Sequence, residues 1–281
     1  MPLPVIREAA PSDRRQVAEM LAEVWGGGDY IMGVWREWLS SPSGDLLVAE
    51  VDGRVVGIMY VEYRPAGEAY LAGARVHPNY RRRGIAAQLT LECMERARSR
   101  GKTLATLATS VRNLAAQRLA EKLGFRLRAR VVRVRASPLS RGRVDRVRPL
   151  EPEEASSAER WVRERDGRPL KFDWYSYSTL TADDLRLYAE EGFAFAVGRY
   201  EGLALWQPYS FGEPFLMLDY LSGSREAARE LGILARLEAR RFKLERVYGQ
   251  VRGSEDTLKG LVDAGFRYPK TRGMLVYEKP L

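Results

Sequence analysis

Cysteine and histidine are nearly absent from this chain of 281 residues, each occurring once. A lone Cys93 excludes an internal disulfide, and a lone His77 leaves neither a histidine-based metal site nor a serine–histidine triad enough parts. No metal is expected. Cys93 sits in "LTLECMERA", a helix-forming context that suits a small buried hydrophobe better than a nucleophile. Long apolar runs are missing as well: no window approaches the ~18 residues of a membrane span. The opening "MPLPVIREAAPSD" has neither a charged leader nor an apolar signal core, so the expectation is a cytoplasmic globular protein without a membrane partner.

What the chain has in excess is positive charge. Lys and Arg total 46 against 37 Asp and Glu, a formal net charge of +9, which suits a nucleic acid, a polyanionic cofactor or a merely basic surface. Part of the excess lies in "RLRARVVRVRAS", where Arg126, Arg128 and Arg130 alternate with apolar residues and Arg133 and Arg135 resume after one slip. That is the pattern of a strand with a bulge. The segment lacks the aromatic residues that single-stranded nucleic acid stacks on, so a solvated strand face is the expectation.

The chain repeats itself at a fixed interval. "IREAAPSD" (6–13) returns as "VRPLEPEE" (147–154), pairing Arg7 with Arg148, and "KLGFR" (122–126) returns as "DAGFR" (263–267), pairing Gly124 with Gly265. Each half then runs to a Pro-Leu, at 138–139 and 280–281. Two tandem copies of one fold follow, 1–140 and 141–281, with the junction in "SPLSRGRVD".

Within the first copy the periodicity alternates between two and 3.6. "DLLVAEVDGRVVGIMYVEY" places two apolar runs around Asp52-Gly53, a hairpin signal; "AYLAGARV" is a further strand; Ile85, Leu89, Cys93 and Ala97 then recur at helical spacing. "TLATLATSV" returns to strand, and "NLAAQRLAEKLGF" is a helix that Gly124 stops. The fold class is α/β, a central mixed sheet flanked by helices in each copy.

The stretch "RVHPNYRRRGIAAQL" (75–89) joins the "AYLAGARV" strand to its helix. A helix start leaves N–H groups unpaired and attracts anions, Gly84 permits close approach, and Arg81, Arg82 and Arg83 add positive field. The turn suits a pyrophosphate. It has neither the Gly-Lys-Ser/Thr of a phosphate loop nor a three-glycine dinucleotide turn, which argues against nucleotide hydrolysis and hydride transfer.

These residues, Val76-x-Pro78, Arg81-x-x-Gly84-x-Ala86, Asn113-x-x-Ala116 and "LAEKLGF" (119–125), resemble the acyl-CoA signature of the GNAT-type N-acetyltransferase superfamily. The resemblance covers the first copy, and the second resembles the same fold in outline. It implies two tandem acyl-CoA N-acyltransferase-like domains, with a splayed strand pair ending near Val76 and Thr109. Acetyl-CoA would enter that gap, its pantetheine pairing near Val76 and its pyrophosphate resting on Arg82, Arg83, Gly84, Ile85, Ala86 and Ala87, with Arg81 nearby and Asn113 on the other side. Trp25, Asp29 and Tyr30 would face the acceptor, in "VWGGGDYIMGVWREWL", where one of Trp35 and Trp38 is core. "KFDWYSYSTL" (171–180) holds the comparable place in the second copy.

Two departures bear on mechanism. The position where many relatives carry an acidic tyrosine is Ala120, and no carboxylate lies near Gly73, where some carry a base. Glu62, Ser110, Thr109, Asp29 and Tyr30 remain as catalytic candidates, Glu62 and Ser110 first. The implied activity is acetyl transfer from acetyl-CoA to a primary amine of a small molecule or peptide. A non-catalytic acyl-CoA-binding protein is the alternative, and a basic nucleic-acid-associated protein a third; a homo-oligomer is left open. The second copy reads "SGSREAARE" at its own strand-to-helix turn, with Arg225 in the glycine's place, Ser224 as a helix cap and Glu226 in the first turn, so it is expected to have lost the cofactor.

Overall fold

A β-hairpin organises the first unit. Asp52 and Gly53 both take positive φ, 51° and 75°, which turns the chain tightly enough to set Val51 opposite Arg54. The computed structural model describes residues 3–25, 28–173, 176–209, 213–252, 254–269 and 273–281. In chain order the first elements are β1 (Val5–Glu8), α1 (Arg14–Trp25), α2 (Ile31–Leu39), β2 (Gly44–Val51), β3 (Arg54–Tyr63), β4 (Glu68–Val76), α3 (Ile85–Ser99), β5 (Leu104–Ser110), α4 (Leu114–Lys122) and β6 (Arg126–Ala136). There follow β7 (Val147–Pro149), α5 (Ala155–Asp166), β8 (Leu170–Asp173), β9 (Ser176–Thr179), α6 (Ala182–Glu190), β10 (Ala194–Val197), β11 (Gly202–Tyr209), β12 (Phe215–Gly223), α7 (Arg225–Arg241), β13 (Arg246–Arg252), α8 (Glu255–Asp263) and β14 (Gly273–Pro280).

The chain forms two compact units. One comprises residues 1–109, 113–128 and 277–281; the other comprises 110–112 and 129–276. The division therefore falls inside β6 at 128/129 rather than at 140, and the last five residues belong with the first unit. The repeat marks where strand β6 ends, whereas packing decides which unit its residues join. The C-terminal residues are bonded within the first unit: Tyr277 donates to Glu121 Oε1 (3.2 Å), Lys279 Nζ to the Leu123 carbonyl (2.6 Å), and Leu281 N–H to the Thr103 carbonyl (2.9 Å).

In the first unit the strands lie in the order β1-β2-β3-β4-β5 and then the end of β14; β4 and β5 are parallel, and β1 to β4 antiparallel. Helices α1 and α2 cover one face through Val17, Leu21, Ile31 and Trp35, packed on Leu46, Val48, Ile58 and Tyr60. Ile85, Leu89, Cys93 and Ala97 of α3 are all buried, as their spacing requires. The second unit orders its strands β6-β13-β12-β11-β10-β7, with β12 and β13 parallel. Both second helices stop alike: Gly124 and Gly265 take φ of 84° and 85°, and the N–H groups of Phe125 and Phe266 return to the carbonyls of Ala120 and Leu261.

Strand β6 departs from its expected form. Its ladder with β13 is unbroken from Val131 to Ala136, which places Arg133 and Arg135 on one face. Arg128 is buried beside Glu278 (3.5 Å) rather than solvated, its side chain 7 % exposed. In the second copy, "KFDWYSYSTL" forms the β8–β9 hairpin instead of the helix found at the corresponding place in the first; Trp174 and Tyr175 lie outside the described residues.

The opening repeat has a chemical meaning. Arg7 on β1 makes a forked contact with Asp13 in the 3₁₀ turn that follows (2.7 and 2.9 Å), and Arg148 on β7 does the same with Glu154 (2.6 and 2.8 Å). Each carboxylate also accepts a backbone N–H three residues back, from Ala10 and Glu151. These arginine bonds hold Asp13 below the usual carboxylate range and Glu154 at about 2. A carboxylate lowered by folding stabilises the fold above its unfolded pKa, and that contribution disappears as pH falls through the folded value. Asp13→Asn should therefore cost about 1–3 kcal/mol at neutral pH, and Glu154→Gln less, because solvent screens that pair. With both substitutions, urea midpoints should fall less steeply than those of the parent between about pH 4 and pH 2.

Candidate active site

The β4–β5 ladder is short. It pairs Glu68–Leu71 with Leu104–Leu107 and goes no further, so the β4 edge from Ala72 to Val76 diverges from β5 with its side away from β3 unladdered. At this mouth, Val76 leads into a 3₁₀ turn, Pro78–Tyr80, capped by the His77 side chain, whose Nδ1 accepts the Asn79 N–H (3.2 Å). His77 is buried and its own N–H bonds to the Val56 carbonyl (2.9 Å), which anchors the turn to β3. The one histidine is thus a structural pin.

Beyond it, Arg82 takes φ of 62° and Gly84 of 79°, and Gly84 is the residue before α3. The helix ladder begins with Gln88 N–H on the Gly84 carbonyl (3.0 Å), which leaves the N–H groups of Ile85, Ala86 and Ala87 without intrahelical acceptors. A Cβ placed on Gly84 would meet no atom within 4 Å. Glycine here answers to the left-handed backbone and to open space in front of it, not to protein packing. Arg81 Nε donates to the Val76 carbonyl (3.3 Å), and the Arg83 guanidinium lies 4.9 Å over the Tyr80 ring. These residues fit a diphosphate: unpaired donors, positive field and an unfilled cradle.

Asn113 caps α4, its Oδ1 accepting the Ala116 N–H (3.2 Å), so its NH₂ is the group left to meet a ligand. Ser110 ends β5, accepts the Arg112 N–H (3.2 Å) and groups with the second unit. Ala120 is buried, 2 % exposed, on α4.

Beside the β4 edge stands an aromatic wall, of which the sequence pattern marks Tyr30 and Trp38 but not Tyr60. Trp38 stacks on Tyr60 at 4.5 Å and meets Tyr30 edge-on at 5.9 Å, while Trp35 is core. Gly73 explains how Trp38 fits: it forms part of a bulge in β4, at φ 69°, and a Cβ there would lie 2.7 Å from the indole. The same collision leaves no room near Gly73 for a carboxylate. Tyr70 is buried beneath the Arg64 guanidinium (4.4 Å), and burial pushes its phenol pKa up, so it remains protonated. Tyr60, Arg64 and Tyr70 were not singled out in the sequence; their only signal is alternation on adjacent strands.

Two ion pairs frame this wall. Asp29, its side chain 2 % exposed, accepts from Arg75 Nε (2.7 Å) and from the Ile31 N–H (3.2 Å), so it tethers the start of α2 to β4. Glu62 accepts from Arg64 at 2.7 Å and is 36 % exposed. Of the two carboxylates, Glu62 is the accessible one. Trp25 closes α1, and its side chain lies outside what is described.

The second unit keeps the short ladder and lacks the long turn that follows it in the first. Strands β12 and β13 pair over Phe215–Leu218 and Arg246–Gly249, the same four-residue span. Yet β12 runs to Gly223 and only Ser224 precedes α7, where the first unit has residues 77–84. The residue in Gly84's place is therefore Ser224, at φ −59°, and not Arg225 as the sequence register suggests; its Oγ caps the helix on the Ala227 N–H (3.2 Å). Thr257 of α8 bonds both the N–H and the carbonyl of Gly223 (3.3 and 3.1 Å), and a Cβ on Gly260 would overlap the Arg225 carbonyl and lie 2.9 Å from Arg229 N. Helix α8 thus covers the first turn of α7.

Residues 12–125 match the Acetyltransferase (GNAT) family. The chain carries a GNAT acetyltransferase domain. Over 93 residues it is 30 % identical to a protein from Xenopus tropicalis named histidine N-acetyltransferase, a match spanning 33 % of this chain and 29 % of that relative. The fold of the whole chain is that of solved GNAT proteins. A GCN5-related N-acetyltransferase from Sphaerobacter thermophilus superposes with TM-score 0.62 at 19 % identity, covering 99 % of this chain and 95 % of that one. A tandem GNAT protein from the clavulanic acid biosynthesis pathway superposes at 0.55 and 15 %, covering 99 % and 98 %.

Gly73→Ala tests how the GNAT domain builds its wall. Backbone strain at positive φ and the clash with Trp38 together should cost about 2–4 kcal/mol. Gly53→Ala, at φ 75° with nothing within 4 Å, carries the strain alone and should cost about 1 kcal/mol. Urea titrations of the two variants measure the difference.

Proposed function

We propose that the protein is an acetyl-CoA-dependent N-acetyltransferase that acetylates a primary amine of a small molecule or peptide, with the cosubstrate bound by the first unit alone. The observation that carries this is the open left-handed turn at Gly84, set at the mouth of a strand pair that stops pairing after four residues. In this reading Arg82 to Ala87 hold the pyrophosphate, Arg81 and Arg83 supply field, the β4 edge to Val76 pairs with the pantetheine arm, and Asn113 donates from the other side. Bound acetyl-CoA supplies the activated thioester.

Attack requires a neutral amine, so a base must accept a proton. Glu62 is assigned that role as the exposed carboxylate beside the wall, with Arg64 fixing its orientation. Asp29 serves structure through Arg75. Tyr30, Trp38 and Tyr60 offer a flat apolar surface to the acceptor, which favours amino acids with planar side chains; the name of the Xenopus tropicalis relative points the same way. The short Ser224 connection and the cover of α8 support loss of the cofactor from the second unit. No helix among the described residues is long and apolar enough to cross a membrane, and a cytoplasmic location is part of the proposal.

Calorimetry with acetyl-CoA should give one site per chain. Gly84→Val should weaken it at least tenfold while lowering stability by only about 1–2 kcal/mol, because the added side chain meets ligand and backbone strain but no protein atom. Two equivalent sites, or unchanged affinity, would sink the assignment. Thiol release with a panel of amino acids should identify an acceptor, and Glu62→Gln should then lower kcat by about 10²-fold with binding of acetyl-CoA preserved. Binding without thiol release on any amine would establish the non-catalytic alternative. Ala120→Tyr would crowd a buried site, and it should cost about 1–3 kcal/mol without raising turnover.

A further inference from the structure

The second unit contains a cavity of about 860 Å³ on the face of β6, β12 and β13 that the β8–β9 hairpin overlies through Phe172. Among the described residues three arginines line it. Arg135 and Arg267 exchange backbone hydrogen bonds (3.0 and 2.8 Å), which sets their side chains opposite one another on one face. The row continues across the sheet: Arg135 pairs with Tyr248 and Tyr248 with Met217, while Arg133 pairs with Gln250 in the next row. Like charges directly opposite repel. Among the described residues none of the three guanidiniums has an ion-pair partner, and no carboxylate lines the cavity.

The remaining lining narrows the chemistry. Tyr177 donates to Gln250 Oε1, so the amide NH₂ of Gln250 is the group left for a ligand, and Arg246 donates to the Tyr248 hydroxyl (3.0 Å), holding that ring. Tyr248 is braced edge-on by Phe215 at 5.4 Å. The walls therefore present fixed rings and hydrogen-bond donors with no competing acid. We propose that this cavity is a binding site for a small planar polyanion, an aromatic ring bearing two or more carboxylate or phosphate charges. Arginine forks suit both anions, Phe172 and Tyr248 suit the ring, and the volume is that of a small-molecule site rather than a groove for a polymer. The site lies wholly within the second unit and is proposed independently of acetyl transfer.

The full chain should be titrated calorimetrically with phthalate and with phenyl phosphate, which separate the carboxylate and phosphate sources, and with benzyl alcohol as the uncharged ring. At least one dianion should saturate one site below about 1 mM, and benzyl alcohol should not. Arg135→Gln with Arg267→Gln should weaken that binding at least tenfold, leave acetyl-CoA affinity unchanged, and raise the melting temperature of the free protein by relieving the repulsion. Unchanged dianion binding in this folded variant, or no saturable binding by the parent, would overturn the site. So would an oligouridylate that displaces the dianion with a steep salt dependence, since that assigns the arginines to nucleic acid. Because acetyl-CoA is titrated in the same samples, failure here and failure of the acetyltransferase reading remain separable.

Discussion

The ladder between β4 and β5 ends after Leu71 and Leu107, and the arrangement of the candidate site in the first unit depends on that ending. Strand β4 stays paired with β3 on its other side except at the Gly73 bulge, so its free edge costs little in order. The Gly73 bulge turns the strand as it leaves β5 and admits Trp38 from one side; His77 pins the turn that follows; Gly84 then opens the start of α3. A ligand arm entering such a gap replaces missing strand bonds while its anionic end meets unpaired helix donors. Each part is weak as a signal alone.

The same ladder in the second unit leads elsewhere, which separates fold from site. Phe215–Leu218 and Arg246–Gly249 pair over the same span, and α7 and α8 occupy the places of α3 and α4. What differs is a connection reduced to Ser224 and a small face on α8, where Thr257 and Gly260 let the helix close onto Gly223 and Arg225. Packing needs the ladder and the helices. The proposed cofactor site uses the loop between them, and loops tolerate loss where cores do not.

The arginine excess is likewise not one property. Arg7 and Arg148 fix edge strands to their following turns; Arg75 and Arg64 order the wall of the candidate active site; Arg81 to Arg83 lie in the turn before Gly84, where the proposal puts the pyrophosphate. Arg133, Arg135 and Arg267 face a cavity with no acid in its lining. Net charge alone suggested a solvated face or a nucleic-acid partner, and only the partners of each guanidinium distinguish these uses.

Periodicity made the hairpin at Asp52-Gly53, the buried stripe of α3, the glycine stops at 124 and 265 and the repeat itself legible, because these are local: φ preferences, i to i+4 contacts and turn chemistry act within a few residues. The turn proposed to hold the pyrophosphate is local in the same way, one continuous stretch from 76 to 87. The rest required distance. Tyr60 meets Trp38, and Arg64 covers Tyr70, only when β3, β4 and α2 pack, and Asp29 is taken out of contention by Arg75, 46 residues away. The unit boundary fell at 128/129, with residues 277–281 in the first unit, because strand membership depends on which edge a segment pairs with and not on where its repeat ends. Local backbone preference wrote the elements into the chain; pairing between distant strands chose which side chains share a site.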